Sequence, residues 1–506
     1  MMKIGKDKSF MKNHVRLISL LLALLLSFVA LVSCGNTEDT ETEKETNTAD
    51  TEQVGSVDST TETVTEAVIE VEPPRPVTNY NDDFFLWIHN DSNSMLYHWV
   101  EESSNDVLSQ AIFDRQQKVY EHLGVSIYGT KTLVASQYIE PFKNAVKNKD
   151  GSVDTLLTHV YSGVDGFITE NYLTNLDDIT EINLDAEYWN QDFMEECAYN
   201  GKHFLGKSNF NILYTHVVAF NKDMLDKYDD AMNESVYDMV LNYRWTFDRM
   251  LELAQLVYID KTADGKTIDD TFGIAAQHDI QFVGLLSSCN VNLIEQNEKG
   301  EYVFSAYNDV NKAITTDVIE KLKELVKAEY CWVWPHGSNQ TVNFANHGSL
   351  LTLASTNNLP SYLNYDINFG VLPYPMYDEN QKDVGYRSLQ WGGYTCVPSY
   401  VRNLSLVGDT IEMLSFYSDS VNEAFYEKLL GKQVAESPVD KQMLQIVWNG
   451  IRTDFAQTYY SALSNTRVLY MAVELTKEDS TQNLASYVAS VDRAIAKALK
   501  KMTITK

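Results

Sequence analysis

Cysteine is scarce in this chain, with five residues among 506, at positions 34, 197, 289, 331 and 396. None forms a C-x-x-C pair or stands at zinc-site spacing from a histidine, so neither a metal knuckle nor a dithiol motif is present. Two disulfides among the last four are arithmetically open, but the spacing does not demand them, and free buried thiols are the expectation. Positive charge is also short: 40 Lys and Arg face 71 Asp and Glu, for a net charge of −31. That balance argues against nucleic acid and anionic lipid as electrostatic partners. There is no G-x-S-x-G, no H-E-x-x-H, no phosphate loop and no glycine-rich dinucleotide fingerprint. The ten histidines are scattered; His159, His203, His216 and His278 lie on or near apolar segments, where they are expected to satisfy core hydrogen bonds. No cofactor is expected, and no helix-pair repeat is visible. Carboxylates are too numerous to exclude a glycosidase-like pair, which keeps a surface glycan hydrolase as the rival reading.

What is present begins at the N-terminus. Lys3, Lys6, Lys8, Lys12 and Arg16 precede an apolar run over residues 17–32, which ends in Leu31-Val32-Ser33-Cys34. A basic head, a short apolar core and a small residue before a cleavage point form a secretory signal. The run is shorter than the ~20 residues a membrane span needs. Its ending resembles a bacterial lipobox, which implies that Cys34 becomes the lipid-modified first residue of a protein held outside the cell membrane. Residues 35–77 then hold twelve acidic residues against Lys44 and Arg75, with almost no large apolar side chain before Val68. Such a segment buries too little apolar surface to offset its ordering entropy, so 34–78 reads as an extended acidic tether behind a 1–33 signal peptide.

Residues 79–506 are too many for one core and call for two lobes. The pattern is mixed α/β. A β-rich run at 84–88 ends at His89-Asn90-Asp91, and a helical pattern over 105–123 stops at Gly124. A strand follows from Val125, a helix near 139–149, and a buried strand at 153–160. Alternation of this kind implies parallel strands with crossover helices, whose ligands sit beyond the carboxyl ends of the strands. Thr246 is placed to N-cap a helix over 247–257, with Trp245 as a core anchor.

Several segments then resemble, in order, the extracellular solute-binding proteins of sugar-type ABC importers, the maltose-binding-like group. They include 153–157, Tyr172-Leu173-Thr174-Asn175-Leu176, Phe220-Asn221-Lys222, Trp245-Thr246-Phe247-Asp248, 260–273, 344–354, 368–375 and Glu436-Ser437-Pro438. The resemblance spans about residues 80–470. It implies a two-lobed periplasmic-binding-protein-like α/β fold, with 79–217 plus 343–395 in the N-terminal lobe and 218–342 plus 396–506 in the C-terminal lobe. Chain crossings near 215–220, 340–344 and 395–398 are implied too. It further implies a lipid-anchored receptor without catalysis, which traps a sugar or oligosaccharide by hinge closure and hands it to ABC permease subunits. A different kind of glycan-binding lipoprotein is the second alternative.

Sugar recognition needs aromatic faces for the C–H side of the ring and planar polar groups for its hydroxyls. Residues placed for this at strand ends or in glycine-containing loops are Asn90, Asp91, Tyr161, Trp334, Thr356, Arg387, Trp391 and Tyr394. Asp260, Asp264 and Asp269 around Gly265 resemble part of a calcium loop. Thr262 and Thr271 break that pattern, which favours a solvated turn.

Overall fold

The computed structural model describes residues 72–502, apart from 90–97, 132–134, 160–162, 213, 229–232, 335–339, 427–436 and 478–479. Cys34, its signal and the acidic tether up to residue 71 lie outside the described residues, as do Asn90, Asp91 and Tyr161; the last tether residues, 72–78, are described, and Arg75 among them pairs with Asp409. Among the described residues, no helix is long and apolar enough to cross a membrane.

The strands are, in chain order, β1 (Asp82–Ile88), β2 (Val125–Lys131), β3 (Thr155–Thr158), β4 (Tyr214–Asn221), β5 (Tyr258–Ile259), β6 (Thr271–Gln277) and β7 (Ile294–Gln296). After them come β8 (Tyr302–Phe304), β9 (Cys331–Trp334), β10 (Ser349–Ser355), β11 (Phe369–Pro373), β12 (Ser388–Trp391), β13 (Tyr394–Cys396) and β14 (Ile451–Arg452). A four-stranded sheet runs β13-β3-β1-β2, with β1 parallel to both β2 and β3. An eight-stranded sheet runs β14-β12-β4-β10-β6-β5, with β11 also on β4 and β9 also on β6. β7 and β8 form a separate hairpin.

Local signals set these elements. The Val107–Leu123 helix starts where the Asp106 carboxylate accepts from Ser109 N–H, and stops at Gly124 with φ 63°, a left-handed position that costs glycine least. Thr246 caps the Phe247–Gln255 helix by accepting from Arg249 N–H, as its sequence position implies. Trp245 beside it is fully buried and donates to Pro373 O at 2.9 Å, the anchor expected of it. Asn221 ends β4 and caps the next turn through Met224 N–H. The four cysteines after Cys34 are free and buried.

Strand pairing spreads 343–395, which the resemblance implies for the N-terminal lobe, over both sheets: β10 pairs with β4 and β6, and β11 pairs with β4. Only β13 joins the four-stranded sheet, on β3. Gln340, expected near a crossing, sits inside the larger body, its amide donating to Ala275 O and Leu353 O. The expected strand at 344–354 is also shorter. Phe344 and Ala345 close a helix, and His347 at φ 58° turns the chain before β10 begins.

The reverse holds for the segment after 396. The Leu404–Phe416 helix packs on the Val107–Leu123 helix beside the smaller sheet. Asp409 there accepts from Arg75 Nε at 2.5 Å and Tyr80 Oη at 2.7 Å. Glu412, fully buried, accepts from Tyr188 Oη and from Trp189 Nε1 at 3.3 Å. A carboxylate held by two side-chain donors fixes this helix to 183–189 more firmly than apolar packing alone.

Candidate functional site

The parallel strands of both sheets end in polar residues. In the smaller sheet, β1 and β3 run into His89 and His159, whose rings stack 5.4 Å apart. Tyr138 meets His89 edge-on at 5.4 Å, and its hydroxyl pairs with Thr158 Oγ1 at 3.1 Å. In the larger sheet, β6, β9 and β10 run parallel and end at Gln277, Trp334 and Ser355. Gln277 stands opposite Trp334 in register, and Ser355 stands opposite His216 at the start of β4. Burial pulls the His216 imidazole down to about 4 and lowers His278 as well, so both are held toward the neutral form.

Two stretches of chain join these ends. Residues 391–394 leave the larger sheet where Trp391 pairs with Tyr214 and enter the smaller one where Tyr394 pairs with Thr158. Gly393 approaches so closely that a Cβ there would lie 2.8 Å from Thr158 O. The second stretch is 206–212, which follows the Gly206–Thr395 bridge and precedes β4. A Cβ on Gly392 would lie 3.2 Å from Ile212 O, so the two stretches run side by side. Lys207 is buried between them and donates to Gln390 Oε1, with the Tyr394 ring centroid 4.8 Å from its ammonium. Burial pushes the Lys207 pKa well below the usual lysine range.

The sequence candidates fall on both sides of this arrangement. Trp334 is at the strand ends, 9% exposed, and its Nε1 has no hydrogen-bond partner among the described residues. Thr356 is fully buried; its hydroxyl accepts from Thr215 N–H at 3.1 Å, which makes it a splice between β10 and β4. Tyr394 is also core: its ring stacks on Phe193 at 5.3 Å and its hydroxyl donates to Thr458 Oγ1. Arg387 precedes β12, at the opposite end of that strand from Trp391, and donates to Asn290 Oδ1. The backbone of Trp391 is at the crossing. The Asp260 carboxylate accepts from Ala263 and Gly265 N–H, and Asp270 from Lys261 and Thr267 N–H, which is the pattern of a self-capped turn. Among the described residues, no group of three or more His, Cys, Asp or Glu converges to hold a metal.

Sequence reasoning missed His89, Tyr138, Gln277, Lys207 and Gln390 as neighbours of the strand ends. His89 and Gln277 carry a signal, a polar residue directly after an apolar strand. Lys207 carries none, because its burial depends on two crossings far apart in sequence.

One packing detail under the site is testable. A Cβ on Gly284 would lie 2.9 Å from His216 Cδ2 and 3.0 Å from Tyr374 Cε2, so the Ile280–Ser288 helix presses directly on this ring pair. Gly284→Ala is expected to cost about 1–3 kcal/mol, read as a lower urea midpoint with unchanged m-value. An unshifted midpoint would mean the rings yield freely.

The comparisons agree with this architecture. The bacterial extracellular solute-binding protein family matches residues 128–427, more than half of the chain. No curated protein matches by sequence. Among solved structures, the GacH receptor of Streptomyces glaucescens, studied with acarbose, superposes with a TM-score of 0.55 at 15% identity, covering 83% of this chain and 98% of its own. MalE from Bdellovibrio bacteriovorus, bound to maltotriose, gives 0.52 at 12%, covering 83% and 99%. The substrate-binding protein Lmo0181 from Listeria monocytogenes, with cycloalternan, gives 0.50 at 11%, covering 83% and 98%. The likeness lies in the fold, two α/β lobes joined by crossings. The chain therefore belongs to the bacterial extracellular solute-binding protein family and has its two-lobed periplasmic-binding-protein architecture.

Proposed function

We propose that this protein is a lipid-anchored receptor that captures an oligosaccharide between its lobes and delivers it to an ABC permease, without catalysing a reaction. The observation that carries this reading is the pair of adjacent crossings that joins the two sheets, with the strand ends Trp334 and Gln277 in the larger sheet and His89 and His159 in the smaller. Solute-binding family membership and the sugars held by the three similar structures support it. The lobes proposed here follow the sheets. One is built on β1–β3, β13 and the Leu404–Phe416 helix, and the other on β4–β6 and β9–β12. The 206–212 and 391–394 stretches serve as hinge, because they run side by side between the two sheets. The lipid on Cys34 and the acidic tether would keep the receptor beside its transporter.

The test is a titration with maltotriose, cycloalternan and a wider oligosaccharide panel, followed by small-angle scattering and product chromatography. A ligand that saturates binding is expected to reduce the radius of gyration and to be recovered intact. Trp334→Ala is expected to weaken it at least about tenfold, as loss of a buried aromatic anchor does. Cleaved product would favour the hydrolase, and binding without compaction would sink the hinge.

A further inference from the structure

The strand ends are not the only place where this protein assembles aromatic faces and hydroxyl-binding groups. A cavity of about 620 Å³ lies between the β7–β8 hairpin and the C-terminal Leu484–Met502 helix. That volume is within the usual range of small-molecule sites, roughly 300–1,000 Å³. Its aromatic wall is Tyr302 and Phe455, stacked with ring centroids 3.7 Å apart. The Tyr302 ring is fixed in place, since its hydroxyl donates to Ala198 O at 2.6 Å and accepts from Gln296 Nε2 at 2.8 Å. Across from it, Asn200 Nδ2 donates to Met502 O at 2.8 Å and holds down the end of the helix.

Tyr199, 1% exposed, closes the cavity on its inner side, and its hydroxyl is not open to a ligand. At the mouth stand Glu301, Asp492 and Lys500, two carboxylate acceptors and one ammonium donor. Charges of both signs suit neither a simple anion nor a simple cation, and a mouth this polar does not suit an acyl chain. Aromatic faces with acceptors and donors around them suit a ring that is apolar on its faces and hydroxylated at its edge.

We propose that this cavity is a second carbohydrate site, taking a single neutral pyranose ring, a free sugar or the end of a longer glycan, separate from the cleft between the lobes. The ring lies against Tyr302, and its hydroxyls donate to Glu301 and Asp492. The assignment does not depend on hinge closure, because no residue named for it is at the strand ends.

Met502 lines the cavity and offers a reporter. The full chain labelled with ¹³C-methyl methionine, its Met502 resonance assigned by Met502→Leu, is titrated with glucose, galactose, mannose and xylose. At least one of these sugars is expected to shift the Met502 methyl saturably. Ala496→Trp, on the exposed helix edge of the cavity, is expected to abolish that shift while leaving compaction by a cleft ligand intact. Glu301→Ala is expected to weaken the sugar about tenfold, the worth of one hydrogen bond to a charged acceptor. The proposal is overturned if no pyranose moves Met502, if the shift survives Ala496→Trp, or if only apolar probes such as indole produce it. None of those results bears on the cleft, whose ligand is read by scattering.

Discussion

Gly273→Ala is expected to leave little or no folded protein. Gly273 lies in β6, where the strand meets the Phe247–Gln255 helix with no side chain between them. A Cβ at this position would sit 1.6 Å from Ala254 O and 2.5 Å from Ala254 C. The obstacle is backbone, so no rotamer change relieves it, and the whole helix has to lift from the sheet. Lifting it exposes Phe247, Met250 and Leu253, all fully buried. Overpacking against movable side chains costs about 1–3 kcal/mol; displacing a backbone contact should exceed about 4 kcal/mol, a large share of a domain's total stability. Soluble yield and the urea midpoint check this. Ala254→Gly should not rescue the variant, because the clashing atom is the carbonyl oxygen. Gly201→Ala is the matched control: it has φ 69° with nothing within 4 Å of its Cβ, so only about 1–2 kcal/mol of left-handed strain is expected. A well-folded Gly273→Ala protein would mean that helix and strand are not in direct contact.

Stability should also fall as pH rises from about 4 to about 7, through Asp454. This carboxyl is fully buried, and burial pushes its pKa from the usual 3.8 up to about 7, with Glu196 and Glu295 adding to the rise. N–H groups of Leu293 and Ala456 donate to it at 2.6 and 2.7 Å and oppose the shift, but desolvation prevails. The sign follows from proton counting. Between the two pKa values the folded chain keeps a proton that the unfolded chain has lost, so raising the pH favours unfolding. The full swing is on the order of 4 kcal/mol. Asp454→Asn, neutral at every pH, removes it. Urea unfolding of both proteins at pH 5 and pH 7.5 is the measurement. The difference between them should change sharply across that interval, and parallel profiles would contradict the buried, protonated carboxyl. The site matters beyond stability, because Asp454 caps the short helix carrying Phe455 and Gln457. Phe455 forms the aromatic wall under the C-terminal helix, and Gln457 Nε2 donates to Gln390 O beside the crossing.

Much of the local structure was legible because its causes are local. Gly124 stops a helix, Thr246 and Asn221 start helices, the apolar run at 84–88 lies within β1, and that at 153–160 covers β3. The reading of site residues was less complete. Trp334 is at the strand ends, yet Tyr394 and Thr356 are core, because a residue in a short crossing points inward or outward according to what packs on it. Phe193 covers Tyr394, and Thr215 claims the Thr356 hydroxyl; both partners lie more than a hundred residues away.

The sequence by itself determined the alternating α/β elements and the motif order of a solute-binding protein, and it set the expectation of an export signal and an acidic spacer. Periodicity, capping and composition act over a few residues, so a linear string carries them. Only the tertiary structure decided which strands share a sheet, that β10 and β11 stay with β4 while β13 crosses, and that His89 meets His159. Those outcomes depend on hydrogen-bond partners and buried faces chosen among many chemically similar strands. Apolar pattern marks a strand as buried, but it does not name the neighbour that buries it.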